Sequence, residues 1–262
     1  MTKNILSIKG LSKQFTISRK GLQSGHANVL NKLNLKVEKG KISTILGSNG
    51  AGKTTLFNMI NGFEKTDEGS ILFSTDAGTD TELTKLPPHR IAQLGVGRML
   101  QGMSVFGQLT VNENLLMAAR PRVHPFYLKS WSKPIESLSL LQEANSFFNK
   151  FSMDLQEIGH VKAGILSAAG QRLVALGMLY VSPASLLLLD EPCSGIQNDQ
   201  LDNISMALRH LQNNGKTILL IEHNLEFVVQ VSDICHYLNG GCIQLSGESR
   251  LVVERYKTEQ AC

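Results

Sequence analysis

The densest chemistry in this chain lies in eight consecutive residues, Gly47-Ser48-Asn49-Gly50-Ala51-Gly52-Lys53-Thr54, followed by Thr55. They satisfy the spacing G-x-x-x-x-G-K-S/T. A strand-like run, Lys41-Ile42-Ser43-Thr44-Ile45-Leu46, precedes them, and the apolar positions Leu56, Met59 and Ile60 that follow suggest one face of a helix. Glycines in such a loop let backbone N–H groups converge on phosphate oxygens without side-chain obstruction, and the N-terminus of the next helix favours an anion. Lys53 can reach the β- and γ-phosphates, and the Thr54 hydroxyl can ligate magnesium. A phosphate cradle also needs a carboxylate to hold the metal. Residues 186–189 are four leucines running into Asp190, an apolar strand that ends in an acid where parallel sheets place their ligands. Glu191 comes next and could polarise an attacking water.

Such residues need a frame. Residues 5–8 and 27–37 alternate apolar with polar, as half-buried strands do, with a polar, glycine-bearing loop over residues 18–25 between them. Further strands are expected at residues 41–46, 70–74, 186–189 and 217–221, with helical patterns between them, for example at 201–211. Strands separated by helices argue for a largely parallel sheet flanked by helices, and the early strands would form an antiparallel side sheet. From about residue 110 to 170 the pattern turns helical (Leu115, Leu116, Ala119; then Leu138, Leu140, Leu141, Ala144, Phe147, Phe148), with prolines at 121, 125 and 134 and no strong strand. It looks like a helical insertion mounted on an α/β core.

Length and composition exclude several classes. The chain has 262 residues, 42% hydrophobic and 18% charged, with a net charge of +4, enough for one large domain or two small ones and too apolar for disorder. No apolar run approaches the roughly 18–20 residues of a membrane span, and the N-terminus lacks a signal-peptide core. The chain is therefore expected to be soluble and intracellular. Cys193, Cys235, Cys242 and Cys262 show no metal-ligand spacing and suit idle thiols. So small a basic excess is no nucleic-acid footprint.

Taken together, these motifs resemble the nucleotide-binding subunit of an ABC transporter, and the resemblance covers essentially the whole chain. It implies an α/β fold: a P-loop NTPase, RecA-like core with an antiparallel side sheet and an inserted helical subdomain at approximately 102–175, all within one domain of 1–262. Asp190-Glu191-Pro192 is similar to the extended Walker B motif. Gln101, after Gly97-Arg98-Met99-Leu100, matches the Q-loop glutamine that contacts magnesium and the attacking water. His223, in Ile221-Glu222-His223-Asn224, matches the switch histidine, and Phe15 sits where the family stacks an aromatic on adenine. Leu109-Thr110-Val111-Asn112-Glu113-Asn114 resembles the segment that opens the helical subdomain. The resemblance implies ATP and Mg2+ as ligands, with Glu191, His223 and Gln101 catalytic and Thr54, Gln101 and Asp190 at the metal. Its implied partners are an integral membrane permease and a second ATPase subunit, with no nucleic acid. The implied location is cytoplasmic, peripheral on the inner membrane. Gly95-Val96-Gly97-Arg98 and Leu219-Leu220-Ile221-Glu222-His223 look most like importer ATPases for branched-chain amino acids or related small polar solutes.

One motif departs from the family. Where LSGGQ is expected to face the partner subunit's ATP, the chain has Leu166-Ser167-Ala168-Ala169-Gly170-Gln171-Arg172. An ungapped match keeps Ser167, puts Ala169 on the second glycine and Gly170 on the glutamine. A methyl at Ala169 is expected to restrict φ and take up space beside a γ-phosphate. Gln197, in Ser194-Gly195-Ile196-Gln197, stands where an aspartate is usual. An intact Walker face with a weakened signature face suggests pairing with a different ATPase subunit whose signature is intact. The alternative is a non-transport or regulatory ABC ATPase that binds ATP with little hydrolysis. Met99, Met103, Val105 and Phe106 are expected to form the surface that docks the permease.

Overall fold

The computed structural model describes residues 3–17, 25–75, 78–100, 105–119 and 134–260, and the architecture below is that of these residues. Two long strands come first, β1 (Asn4–Ile17) and β2 (Gly25–Glu38), then β3 (Ile42–Leu46) and α1 (Lys53–Ile60). Next are β4 (Glu68–Ser74), β5 (Asp80–Glu82), α2 (Pro88–Leu94) and β6 (Val96–Met99). A helical stretch holds α3 (Val111–Ala119), α4 (Pro134–Phe148), α5 (Leu155–Ile158) and α6 (Ala168–Val181). The chain then returns to β7 (Leu186–Asp190), α7 (Leu201–Asn213), β8 (Thr217–Ile221) and α8 (Leu225–Val231). It closes with β9 (Ile234–Asn239), β10 (Cys242–Glu248) and α9 (Ser249–Gln260).

The strands form two sheets. The central one has the order β10-β9-β3-β8-β7-β6, parallel throughout except for the antiparallel β9–β10 pair. The side sheet, β2-β1-β4-β5, is antiparallel. Every residue of β7 and β8 is buried, which is why their sequences run apolar instead of alternating. Period two survives in direction: Leu186 and Leu188 join the core beneath the side sheet, and Leu187 and Leu189 join the core that continues into the helical stretch. Leu219 and Ile221 against Ile218 and Leu220 repeat that division in β8.

Register brings distant segments to one edge. Ile45 of β3 lies opposite Ile221 of β8, Ile221 opposite Asp190 of β7, and Leu189 opposite Met99 of β6. Four parallel strands therefore end level, and the described loops that leave β3, β8 and β7 share one rim.

The helical stretch is not a separate core. Val111, Leu115, Phe147, Phe148 and Val174 belong to the same apolar cluster as Leu187 and Leu220. α3 opens with a capping box: Glu113 accepts from Thr110 N–H at 2.8 Å, and the Thr110 hydroxyl accepts from Glu113 N–H at 3.2 Å. An isolated antiparallel bridge, Thr110 to Lys162, adds strand-like pairing where only helix was expected. Met99 also departs from expectation. It is 4% exposed, within the core, with the Arg172 guanidinium 4.0 Å from its sulfur, so it cannot line a docking surface. Phe106, 54% exposed, can; Met103 lies outside the described residues. No helix among the described residues is long and apolar enough to cross a membrane.

His236 marks a cost within the sheet. It is buried in β9 with Nδ1 2.8 Å from the Ser246 hydroxyl, while Nε2 has no hydrogen-bond partner. Burial lowers its pKa to about 4. The unfolded imidazole, near 6.5, therefore takes up a proton that the folded one refuses, and stability present above that pH is lost as pH falls toward 4. The loss from this group is about 3 kcal/mol. Urea titrations at about pH 7 and about pH 4 are expected to show the protein losing that much more stability than His236→Gln. A pH-independent gap between the two would contradict this.

Candidate functional site

The loop between β3 and α1 is walled from behind, which explains its glycines. Gly52 has φ 102°, and a Cβ there would press on Leu30 Cδ2 and the Val29 carbonyl at 2.8 Å each. At Gly47 a Cβ would stand 2.5 Å from the Leu238 carbonyl oxygen. β2 and β9 thus press the loop against the sheet. Its base (Gly47, Ala51, Gly52, Lys53) is buried while Ser48, Asn49 and Gly50 form an exposed rim. The Lys53 ammonium donates to the Gly47 carbonyl at 2.7 Å and the Ser48 carbonyl at 3.0 Å, which stations a positive charge within the loop. Burial lowers its pKa, and the charges of Glu191 and Asp190 oppose that shift. Thr54, exposed, and Thr55, half-buried, begin α1 behind it.

Asp190 is buried at the end of β7, and burial pushes its pKa up; Arg98 on β6, with one guanidinium nitrogen 3.3 Å away, pulls it back down. Arg98 is held in turn by Asn58 on α1, whose Oδ1 accepts at 2.7 Å, and its guanidinium lies 5.7 Å from the centre of the Phe57 ring. Sequence reasoning missed this counter-ion. The available signal is a charged residue inside the short, otherwise apolar or glycine-bearing strand 96–99.

Glu191 adopts φ 50°, unusual for a non-glycine residue. Its N–H donates to the Ile221 carbonyl at 2.9 Å, and its Oε1 lies 3.1 Å from His223 Nε2. Both line a pocket of about 220 Å³ with Cys193, Ser194, Ile196 and Glu222. Burial and the neighbouring Glu222 push the Cys193 thiol far up, so it is no nucleophile.

The remaining expected residues are more scattered. Phe15, 37% exposed, lies opposite Ala27 in the β1–β2 pair, with the Lys13 ammonium 5.2 Å from its ring centre. Ser167 is the N-cap of α6, its hydroxyl accepting from Gly170 N–H at 3.1 Å. Ala169 follows in the first helical turn, a conformation alanine favours. The expected φ restriction therefore disappears, and the methyl group belongs to a residue only 9% exposed. Gln171 donates to the Leu166 and Gly164 carbonyls, and Gln197 is exposed. Gln101 lies outside the described residues.

The arrangement brings together a cationic glycine-walled loop, a buried carboxylate and a second carboxylate paired with an imidazole. Among the described residues no three His, Cys, Asp or Glu side chains cluster as a metal cage. Thr54 and Asp190 supply hard oxygen donors, which fit a magnesium ion that completes its shell with phosphate and water oxygens.

Comparison with known proteins agrees with this geometry. The family model described as ABC transporter matches residues 30–194. The high-affinity branched-chain amino acid transport ATP-binding protein BraF of Pseudomonas aeruginosa is 30% identical over 244 residues, 92% of this chain and 90% of that protein. LivG of Escherichia coli K12, of the same description, is 31% identical over 249 residues, again 92% and 90%. The ribose import ATP-binding protein RbsA of Caldanaerobacter subterraneus is 28% identical over 244 residues, 93% of this chain and 45% of that one. Among solved structures, MJ1267, an ATP-binding cassette of an ABC transporter, aligns with a TM-score of 0.77 at 28% identity, covering 99% and 98% of the two chains.

The Arg98–Asp190 pair generates a prediction. Arg98→Met leaves a buried carboxylate uncompensated, and a loss on the order of 3 kcal/mol in chelator is expected by chemical denaturation. Magnesium with nucleotide should restore part of it, since a cation again faces Asp190. An unchanged midpoint in chelator would show that the pair carries no stability.

Proposed function

This chain belongs to the ABC transporter family and is an ATP-binding, ATP-hydrolysing subunit that powers transport, and from that premise we propose roles for its residues and a class of cargo. The loop 47–55 holds the triphosphate, with Lys53 at the β- and γ-phosphates. Thr54, Asp190 and Gln101 hold magnesium, which supplies neutralisation of charge on the phosphate oxygens. Phe15 supports the adenine. Glu191 takes a proton from water as the water oxygen attacks the γ-phosphorus and the bond to the β-phosphate oxygen breaks. His223 orients that carboxylate. The observation that carries this reading is the 3.1 Å contact between Glu191 and His223, on the same rim as the Lys53 loop.

The cargo is proposed to be a branched-chain amino acid or a similar small polar solute, by likeness to BraF and LivG; the likeness to RbsA makes a sugar the competing solute. An integral permease is the partner, docked through the surface that includes Phe106, and it would hold this chain peripherally on the cytoplasmic face of the inner membrane. The helical unit at about 102–175 transmits the motion. Ser167 and Ala169 are proposed to face the ATP of a second ATPase subunit. Ala169 and Gly170 favour a partner with an intact signature over a second copy of this chain; Ala169 lends some support to a regulatory subunit with little hydrolysis, and Glu191 and His223 speak against it.

Three experiments check these roles. Lys53→Ala should abolish heat of Mg-ATP binding in calorimetry. Glu191→Gln should bind Mg-ATP as the unaltered protein does while turnover falls by about 10²-fold or more; turnover at the original rate would remove Glu191 from the mechanism. Ala169→Gly in the protein purified alone should raise ATP turnover several-fold if the methyl limits a homodimeric site. An unaltered, brisk rate would argue against the unequal pair.

A further inference from the structure

Glu222 is a buried carboxylate that the hydrolysis scheme leaves unused. It is 4% exposed, between the end of β8 and His223. Burying a carboxylate is costly unless strong donors meet it, and here two backbone donors do. Oε1 accepts from Cys193 N–H at 2.7 Å and Oε2 from His223 N–H at 3.0 Å. A single side chain therefore ties the turn leaving Glu191 to the turn carrying His223. On the other flank Arg172, buried in α6, donates to the Ser194 carbonyl at 3.3 Å, and its charge attracts Glu222.

That double anchorage bears on the strained residue between them. A non-glycine residue at φ 50° persists only where its surroundings over-determine it. Around Glu191 they do: its N–H bonds Ile221, its carbonyl accepts from Ser194 N–H at 3.1 Å, and Cys193 is clamped by Glu222. Relaxing the clamp would let Glu191 turn away from His223.

We propose that Glu222 is a positioning residue for ATP hydrolysis, holding Glu191 and His223 in mutual register, and that Arg172 is a second strut linking the helix capped by Ser167 to the same turn. Movement of α6 then reaches Glu191 through the Ser194 carbonyl instead of through the nucleotide alone. The proposal rests on Glu191 acting as the base.

Glutamine at 222 separates this role from simple support. Its oxygen accepts one N–H, and its amide nitrogen cannot accept the other, so half of the clamp is lost with little change in volume. In the full-length protein, with rates normalised to Mg-ATP binding sites counted by calorimetry, Glu222→Gln is expected to lower kcat about tenfold with KM for ATP within about twofold. Arg172→Lys, which keeps charge but lacks the guanidinium fork, should show a smaller loss of the same kind. Unchanged kcat per site in both variants overturns the proposal, as does a rise in KM alone. Should Glu222→Gln fail to fold, Arg172→Lys decides alone by the same kcat and KM criteria. Glu191→Gln run alongside keeps the two ideas apart: an inert Glu191→Gln beside an unimpaired Glu222→Gln sinks only the positioning role. A Glu191→Gln that turns over normally sinks the underlying assignment.

Discussion

Level strand ends in a parallel sheet are the constraint on which this molecule depends. β3, β8, β7 and β6 are far apart in the chain, yet hydrogen-bond register stops them at the same height. Each then releases a loop of different chemistry. One is a cationic glycine loop, one carries an imidazole, one carries a pair of carboxylates, and one leads toward Gln101. The first three lie side by side along that rim. Because strands buried on both faces cannot slip register without exposing one apolar row to the other core, the alignment of charges inherits the rigidity of the packing.

Charge is balanced within that rim before any ligand arrives. Asp190 is paired with the guanidinium of Arg98 and, more weakly, feels the charge of the Lys53 ammonium. Lys53 in turn rests on carbonyls of its own loop, contacts that phosphate oxygens could replace at little structural cost. The same economy appears at Glu222, where two backbone donors meet the carboxylate and the charge of Arg172 attracts it. Such pre-organisation leaves little to rearrange on binding, which is what electrostatic catalysis requires.

The signature region behaves differently. Ser167 caps α6, and Ala169 is at ease in a helical turn, so nothing local is broken by the departures from LSGGQ. What they alter is the composition of the surface around the start of α6, where Ser167 is exposed and Ala169 buried. Arg172, one turn further on, connects that surface to the turn behind Glu191. A change tolerated by folding can thus still reach the chemistry.

How much is legible in the sequence follows from what each motif demands. The phosphate loop is readable because its requirements are local: glycine where φ is positive or where β2 and β9 crowd the backbone, then lysine and threonine at a helix start. Asp190 and Glu191 are readable as a polar end to an apolar strand. Met99 misleads because a methionine near a surface loop looks the same whether it faces solvent or Arg172. The φ penalty expected at Ala169 fails because helix boundaries there depend on which residue caps. By itself, then, the sequence determined the chemistry available, the strand and helix periods, and the order of the motifs. Only the tertiary structure decided that Arg98 would neutralise Asp190, that His223 would meet Glu191, and that Glu222 would clasp both turns. Those partners are separated by up to 92 positions in the chain, and contacts at such separation arise from register and packing, which no local pattern encodes.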